Sequence, residues 1–499
     1  MRRGPRRRGR TVLFVDELTV RSRRGRIALA GTVAASGMAM LDATVVNVAL
    51  PHIGRDLDAS VGRLQWVLTG YLLTLASLIL LGGALGDRFG RRRVFVIGTA
   101  WFAAASLLCG AAPNVETLVA ARMLQGVGAA LLTPGSLAIL QASFVEDDRA
   151  RAVGLWSGLS GVAGAIGPFV GGALIDGPGW RWAFLINLPV AGAVIACTAA
   201  MPESRNPHAA RRLDLIGAAL AVVSLGAATW TLSESGDRGW DDSTIVAAGI
   251  VALVAVGAFV ARMFRSADPL VPPALFRSRA FTVTNLATVL LYAAIGVTFF
   301  LVAYELQVGA EWSAFDAGIA MLPTTLLMLV GSAASGELAQ KIGPRLQLTV
   351  GPLLTAAGLL LLAGIGPGAS WGRNVLPGAV VFGLGLVTFV APLTATVMAS
   401  VSSDHVNLGS GVNNAIARTA SLAALAMIPV VSGLTTADGV DEVTDAFGSA
   451  MTIAAVVAAL AAPVVLIGLR STGPRRRSPR RTHCAVDGPP MQPDLVAQP

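Results

Sequence analysis

The chain has 499 residues, of which 54% are hydrophobic and 13% are charged, and its formal net charge is +9. A typical soluble domain carries about 25% charged residues, so this composition excludes an ordinary water-soluble protein. Ten of the 38 Lys and Arg residues lie in residues 1–26 and six lie in residues 470–481, which places the positive charge in the two tails and argues against a nucleic-acid partner.

Apolar windows of about 20 residues recur along nearly the whole chain, and each is long enough to cross a bilayer core of roughly 30 Å as a helix. The first window follows an Arg-rich segment and is longer than the apolar core of a signal peptide, so we expect it to be retained. The 14 windows predict an all-α polytopic membrane protein with 14 transmembrane helices. They are 27–50, 64–86, 94–112, 117–140, 152–175, 180–201, 213–233, 243–264, 281–307, 315–338, 346–366, 373–399, 408–434 and 446–469.

The distribution of basic residues predicts the orientation. An even number of spans puts both termini on one side of the membrane. With the termini in the cytoplasm, the cytoplasmic segments hold 31 Lys and Arg residues and the external loops hold 5. This asymmetry follows the positive-inside rule. We therefore expect a multi-pass protein of the plasma (inner) membrane with both termini cytoplasmic.

A charged, glycine-containing segment after the second window recurs later in the chain. The segment GALGDRFGRRR, residues 83–93, is echoed by GELAQKIGPR, residues 336–345, with Asp87 replaced by Gln340. A second echo joins LQGVGAALLTP, residues 124–134, to FGLGLVTFVAP, residues 382–392. Both echoes lie eight windows apart, so spans 1–6 correspond to spans 9–14. Such repeats are typical of secondary transporters, whereas the alternative is chance similarity between Gly-rich helix ends.

The repeat and the composition together predict the domain organisation. Spans 7 and 8 form an insertion between two six-helix bundles, and the acidic segment TTADGVDEVTDAF, residues 435–447, is expected to be a solvated external loop. The expected parts are a basic cytoplasmic tail (1–26), an N-terminal six-helix bundle (27–201), a linker with two inserted helices and a cytoplasmic connector (202–280), a C-terminal six-helix bundle (281–470) and a disordered cytoplasmic tail (471–499).

Four motifs, in order, carry a family resemblance. They are LDATVVNVALP in span 1, GALGDRFGRRRVF between spans 2 and 3, LVAARMLQGVGAA in span 4 and AGAIGPFVGG in span 5. With them the chain resembles the 14-spanner drug:proton antiporters of the major facilitator superfamily over about residues 27–470. The resemblance implies the major facilitator fold, export of amphiphilic drugs by alternating access, a proton gradient in place of any cofactor, no enzymatic activity and a monomer.

Two ionisable residues lie inside the predicted spans of the first half. Asp42 in span 1 and Arg122 in span 4 fall at similar depths, so they are compatible with one polar pocket. Ionisable residues in a span are functional by default, although a purely structural pair is the alternative. The resemblance implies that Arg122 takes part in proton coupling. A nearby cation favours an ionised carboxylate, so a changing distance between the two would load and release a proton from Asp42.

The loop between spans 2 and 3 has the features of a conformational switch. Gly83 is expected to let span 2 approach a helix of the other half, and Asp87 to accept hydrogen bonds from Arg91 or from backbone donors at a helix N-terminus. A simple basic stop signal at the membrane face is the alternative. The predicted switch residues are Gly83, Asp87, Arg88, Gly90, Arg91 and Arg92.

The fifth span carries small residues at steps of three or four, which allow close helix packing in lipid. Tight packing is therefore one explanation. The resemblance adds the association of this motif with exporters, and the matching residues are Gly167, Pro168, Gly171 and Gly172.

Two further charged residues are weaker candidates. Glu305 falls near the outer end of span 9 and Arg418 in the inner part of span 13, where both are expected to snorkel to the interface. Attraction of cationic substrates is the alternative for Glu305, and the substrate-binding residues are otherwise unknown from the sequence.

Several other functions find no support in the sequence. The only lysine, Lys341, follows Gln340, so a phosphate-binding GxxxxGK[ST] loop is absent. The three cysteines and four histidines show no metal-ligand spacing, so no metal site is expected. A proton-coupled drug exporter is the preferred function. A dedicated exporter of one endogenous metabolite or lipid and a non-transporting membrane sensor remain as alternatives.

Overall fold

The computed structural model describes residues 18–205, 213–401 and 406–469. Within these ranges, 14 helices are long and apolar enough to cross a membrane, and the ends of each lie within seven residues of one predicted window. The prediction of 14 spans is confirmed. The described ranges hold no β-strand, only an isolated bridge between Leu18 and Phe144. Most of the two predicted tails lies outside the described residues.

The first half contains the first six spans. The sixth is interrupted after its first turn and is described as two helices and a short 3₁₀ turn. The helices are α1 (Arg23–Leu57), α2 (Val61–Phe89), α3 (Arg91–Gly110), α4 (Val115–Ser143), α5 (Glu146–Asp176), α6 (Trp182–Leu185) and α7 (Asn187–Cys197).

The inserted pair and the second half follow. Span 10 is divided into α11 and α12, and span 14 into α16 and α17. The acidic segment expected to be a solvated loop is partly helical, since α16 begins inside it. The helices are α8 (Leu215–Arg238), α9 (Ser243–Arg265), α10 (Arg279–Val308), α11 (Ala314–Ala320), α12 (Leu322–Ile342), α13 (Pro344–Leu362), α14 (Leu376–Ala399), α15 (Val406–Val431), α16 (Val440–Ala459) and α17 (Ala461–Gly468).

Glycine contacts show how the two halves correspond. A Cβ at Gly126 would lie 2.4 Å from a carbonyl oxygen of α2, and one at Gly128 would lie 2.7 Å from a backbone nitrogen of α3. Gly383 and Gly385 of α14 face α12 and α13 in the same way. The contacts therefore pair Gly126 with Gly383. This pairing differs by one residue from the register that the sequence echo implies. The difference arises because helix packing determines which glycines face a neighbouring helix.

The bundle has two faces, which we call terminal and distal. The terminal face holds the first and last described residues and the α2–α3 junction, and the distal face holds the opposite helix ends. Within the described residues, three hydrogen bonds join the two halves, and all lie in the distal third. They are Gln65 to the carbonyl of Leu425, Gln307 to the carbonyl of Val48 at 3.0 Å, and the Phe315 amide to Asp176 at 2.9 Å.

The terminal ends of spans 5 and 10 are less closely packed. Gly154 and Gly158 of α5 and Gly336 of α12 have open space where a Cβ would lie. By contrast, α5 packs against α11 at the distal face. Spans 2 and 13 remain in contact farther toward the terminal face, where Leu80 lies 3.4 Å from the Cβ position of Gly411. The described hydrogen bonds between the halves thus lie at the distal face, whereas Gly154, Gly158 and Gly336 near the terminal face contact no other described helix through a Cβ position.

The inserted pair lies against both halves, because α8 packs on α2 and on α15. The indole of Trp66 donates to Glu234 at 2.9 Å. At the other end of the pair, Arg262 of α9 donates to Asp214 at 2.8 Å. Burial raises the pKa of Asp214, but hydrogen bonds from the Gly217 amide and from Arg262 outweigh it and hold the pKa below its ordinary value. The pair is therefore tied together by a charged contact at the terminal face.

Candidate functional site

A fully buried ion pair lies at the centre of the first half. Arg122 of α4 donates to Asp42 of α1 across 2.6 Å, and their side chains are 1% and 0% exposed. The sequence placed both residues at similar depths, and the structure brings them into direct contact. Because isolated charges are costly in a membrane interior, each residue makes the position of the other tolerable.

The other oxygen of the Asp42 carboxylate also accepts hydrogen bonds. This oxygen accepts from Gln125 at 2.8 Å and from Asn187 at 2.9 Å. Gln125 and Asn187 further donate to the hydroxyl of Ser106 at 2.7 and 3.3 Å. An ionised carboxylate has about four acceptor sites, and the three donors from Arg122, Gln125 and Asn187 fill most of them.

Arg122 has partners that do not depend on Asp42. Its Nε donates to the carbonyl of Val67 at 3.1 Å, and its guanidinium also donates to Gln125. The guanidinium carbon lies 4.3 Å from the ring centre of Tyr71 and 5.7 Å from that of Phe184. Aromatic faces attract a cation, most strongly where water is excluded. Arg122 is thus held in place by contacts that do not involve Asp42.

Three members of this polar cluster were not singled out from the sequence. Gln125 lies in the span-4 motif, three residues after Arg122, so helical spacing alone indicated a shared face. Ser106 and Asn187 lie in otherwise apolar spans. A buried polar residue in such a span is the only sequence signal for them. The Oδ1 atom of Asn187 has no hydrogen-bond partner within the described residues.

The α2–α3 junction contains the predicted switch residues. Arg91 contacts Asp87 through two nitrogens, at 2.8 and 2.7 Å, and also donates to the carbonyl of Ala138 on α4 at 3.3 Å. Gly90 has φ +112° between the helices, a conformation that side-chain-bearing residues rarely adopt. Arg88 is exposed and lies over the ring of Phe89.

A residue outside the motif occupies the backbone donors of this junction. Glu203, which follows the sixth span, accepts from the amides of Arg92 and Arg93 at 3.1 and 3.2 Å. Its carboxyl group also lies 2.8 Å from the position of a Cβ on Gly90. Asp87 was expected to accept from Arg91 or from such backbone donors. The structure gives it Arg91 and assigns the helix N-terminus to Glu203.

The expectation for Gly83 is wrong. Its predicted neighbour was a helix of the other half, but the nearest side chain to its Cβ position is Pro134 of α4, at 3.7 Å. Pro134 belongs to the same half. The contact of α2 with the other half is made by α15, where Leu80 meets Gly411. A distance of 3.7 Å is ordinary van der Waals contact, so packing within the first half does not require glycine at this position.

The glycines of the span-5 motif face two different helices. A Cβ on Gly167 would lie 2.0 Å from the hydroxyl oxygen of Thr44, and one on Gly171 would lie 3.1 Å from Val45, both on α1. A Cβ on Gly172 would lie 2.4 Å from the Cα of Phe315 in the other half. Pro168, between them, presents its carbonyl 2.4 Å from the Cβ position of Gly318. The motif thus packs α5 on α1 and closes the distal contact between the halves.

Glu305 and Arg418 were both expected to snorkel to the interface, and for Glu305 this expectation is wrong. The Glu305 side chain is 0% exposed and accepts from Thr444 at 2.8 Å, because α16 begins early enough to cover it. Arg418 is half-buried and lies at the middle of α15, farther from either interface than the sequence window suggested. The described residues contain no group of His, Cys, Asp or Glu that would hold a metal ion.

Comparison with known proteins follows this geometry. Residues 32–426 match the family model of the Major Facilitator Superfamily. The methylenomycin A resistance protein of Bacillus subtilis (strain 168) is 34% identical over 397 residues, covering 79% of this chain and 84% of that protein. The tetracenomycin C resistance and export protein of Streptomyces glaucescens is 34% identical over 376 residues, covering 75% and 70%.

A further relative and a solved structure agree with these matches. The puromycin resistance protein pur8 of Streptomyces alboniger is 36% identical over 408 residues and covers 80% of each chain. The crystal structure of the peptide transporter POT in complex with sulfate superposes with a TM-score of 0.67 at 15% identity, covering 91% of this chain and 98% of that one. The structural match shows a shared fold.

Proposed function

Because the chain belongs to the Major Facilitator Superfamily, we propose that it is a proton antiporter that exports amphiphilic drugs or antibiotics across the plasma membrane by alternating access. The proposal takes its substrate class from relatives whose names specify antibiotic resistance or export. The basic tails and loops support a cytoplasmic terminal face. The chain would then act on small molecules and protons, with no enzymatic step and no cofactor.

The buried Asp42–Arg122 pair carries the coupling part of the proposal. Protonation of Asp42 removes its charge, so the ion pair with Arg122 is lost while Arg122 keeps its contacts to Val67 and Gln125. Breaking a buried pair changes the free energy by about 3–5 kcal/mol. Since about 1.4 kcal/mol corresponds to a tenfold change in an equilibrium, one proton is enough to shift the populations of two conformations.

The packing between the halves supports the alternating-access part of the proposal. The distal hydrogen bonds and the contact of Gly172 with Phe315 close one face, while the glycines of spans 5 and 10 nearest the other face have open space at their Cβ positions. With a cytoplasmic terminal face, this arrangement is the inward-facing state of an alternating-access cycle. Asp42 is fully buried in it, so its proton exchange belongs to another state of the cycle.

Transport into inverted membrane vesicles tests the proposal. The panel contains methylenomycin A, puromycin, tetracenomycin C and cationic dyes, and uptake is driven by an imposed pH gradient. We expect uptake of at least one compound, its loss when the gradient is collapsed, and its loss in Asp42→Asn. Full gradient-driven uptake in Asp42→Asn would refute the assigned role of the pair. A wild type that moves no compound of the panel would contradict drug export and favour a dedicated exporter or a sensor.

A further inference from the structure

A second buried carboxyl lies in the other half, near the distal end of α10. Glu305 is 0% exposed, and only one of its oxygens has a partner within the described residues, the hydroxyl of Thr444 at 2.8 Å. The backbone of Gly309 passes so close that a Cβ there would lie 2.1 Å from the bonded oxygen. The carboxyl is therefore enclosed by α10 and α16, with one oxygen left without a donor.

The described surroundings of Glu305 provide no ion pair. The neighbouring Tyr304 is buried on the same helix, and within the described residues no basic side chain forms an ion pair with Glu305. The ionisable side chains that neighbouring helices carry between the bundle middle and the distal face are Asp42, His52, Arg55 and Asp56 on α1, Asp316 on α11, Arg418 on α15, and Asp441, Glu442 and Asp445 on α16. An unpaired buried charge is far more costly than a neutral carboxyl, so this environment favours a bound proton.

A cavity at the distal face reaches the partner of Glu305. It has a volume of about 660 Å³ and lies between the end of α13, residues 363–366, and the first turns of α16. Thr444 lines this cavity and also donates to Glu305, while the exposed Asp445 lies at the same opening. The Thr444 hydroxyl thus lies between the buried Glu305 carboxyl and a cavity that is open at the distal face.

We propose that Glu305 is a second proton-carrying carboxyl, loaded from the distal side through Thr444. A hydronium ion in the cavity gives its proton to the Thr444 oxygen as the Thr444 hydroxyl proton passes to Glu305. The hydroxyl is restored, water remains in the cavity and the carboxylate becomes a neutral acid. The inference rests on the proposed proton-driven export and adds a second proton to each cycle.

Counting charge gives a direct test. Export of a monovalent cation such as ethidium in exchange for two protons moves one net charge, so a membrane potential drives it. With one proton, the exchange is electroneutral. At equal pH on both sides, a potential of about 100 mV shifts the limiting dye gradient about 50-fold per net charge moved.

The experiment uses the full-length protein in proteoliposomes, with ethidium as the probe and the potential or the pH gradient imposed separately. We expect the wild type to respond to both. Glu305→Gln is expected to keep pH-driven transport and lose the response to the potential. Thr444→Val, which removes the bridging hydroxyl, is expected to slow the potential-driven flux at least fivefold, and Thr444→Ser to restore it. Glu116→Gln, an exposed distal glutamate, is the matched control and keeps both responses.

The outcomes separate this inference from the proposed function. A Glu305→Gln protein that keeps the full potential response, or a wild type that transports with pH and ignores the potential, overturns the second proton while upholding proton-driven export. No ethidium movement in the wild type under either gradient overturns both.

A second measurement decides the point if Glu305→Gln fails to fold. The wild-type protein is treated with dicyclohexylcarbodiimide, which reacts with protonated carboxyls in apolar surroundings, and the adducts are mapped by mass spectrometry. We expect labelling of Glu305 that declines as the pH is raised. Absence of an adduct at Glu305 from pH 5 to pH 9 would overturn the inference.

Discussion

The two halves of the bundle repeat their glycines but not their charges. Gly90 and Gly343 both have positive φ, +112° and +83°, where one span ends and the next begins. Between Gly83 and Gly90 the first half has Asp87, which pairs with Arg91, and the second half has Gln340 at the matching position. Both halves have a glycine with positive φ because each needs the same turn between two spans. The Asp87–Arg91 ion pair, by contrast, belongs to the first half.

The fourth and twelfth spans differ in the same way. With Gly126 paired to Gly383, the counterparts of Arg122 and Gln125 are Ala379 and Phe382, both fully buried. The polar cluster of the first half is thus replaced by apolar packing in the second. The second half instead carries Glu305, which accepts from Thr444 and forms no ion pair with a basic side chain in the part of the chain that the structure describes. The difference indicates that the charged chemistry of the two halves diverged on a shared scaffold.

The largest effect is expected from Arg122, because the matching position in the second half is the apolar Ala379. Arg122→Lys should lower pH-driven transport at least 100-fold, since a single ammonium cannot reach Asp42, Gln125 and the Val67 carbonyl in the planar geometry of a guanidinium. The measurement is the initial rate of dye uptake in inverted vesicles. Arg63→Lys, in an exposed pair with Glu116, is the control and should change the rate less than twofold. Comparable losses in both variants would contradict a special role for Arg122.

The second-largest effect is expected from the difference between Asp87 at the α2–α3 junction and Gln340 at the matching junction of the second half. Asp87→Asn should lower transport at least tenfold, because Asp87 fixes Arg91, which also reaches α4 through the Ala138 carbonyl. Gln340→Ala in the second half should change the rate less than twofold. Transport rates are compared at equal protein levels in the membrane. Similar losses at the two positions would show that the junctions act alike despite their different charges.

The sequence predicted the spans well because a bilayer demands long apolar helices, and each one is visible as a window. It also placed Asp42 and Arg122 at similar depths, compatible with one polar pocket, and the structure brings the two side chains into contact. Asn187 and Glu203 were missed, because nothing local marks a polar side chain that meets its partner from another span. Gly83 was assigned to the wrong neighbour for the same reason: a small residue predicts close packing without naming the helix.

A smaller effect is expected where the first half contacts the second. Gly172→Ala would place a Cβ 2.4 Å from the Cα of Phe315, so the closed distal face is disfavoured. We expect a three- to tenfold lower transport rate and faster labelling of a cysteine introduced at Phe315 by an impermeant maleimide. Gly154→Ala has open space on the same helix and is the matched control. Unchanged labelling in Gly172→Ala would show that this contact does not hold the face closed.

The smallest expected effect concerns the glycines that the halves share. An alanine at Gly90 or Gly343 is strained by positive φ, which costs about 1–3 kcal/mol. Gly90→Ala also meets the Glu203 carboxyl at 2.8 Å, which adds a steric cost to the backbone strain that the two positions share. Thermal unfolding in detergent should therefore show a lower Tm for both variants and the larger decrease for Gly90→Ala. In the double variant Gly90→Ala, Glu203→Ala, the extra decrease should shrink, because the carboxyl that the new methyl group meets is gone. If Gly90→Ala and Gly343→Ala have the same Tm, the Glu203 carboxyl moves aside without an energetic cost. Backbone strain would then account for the whole decrease in Tm.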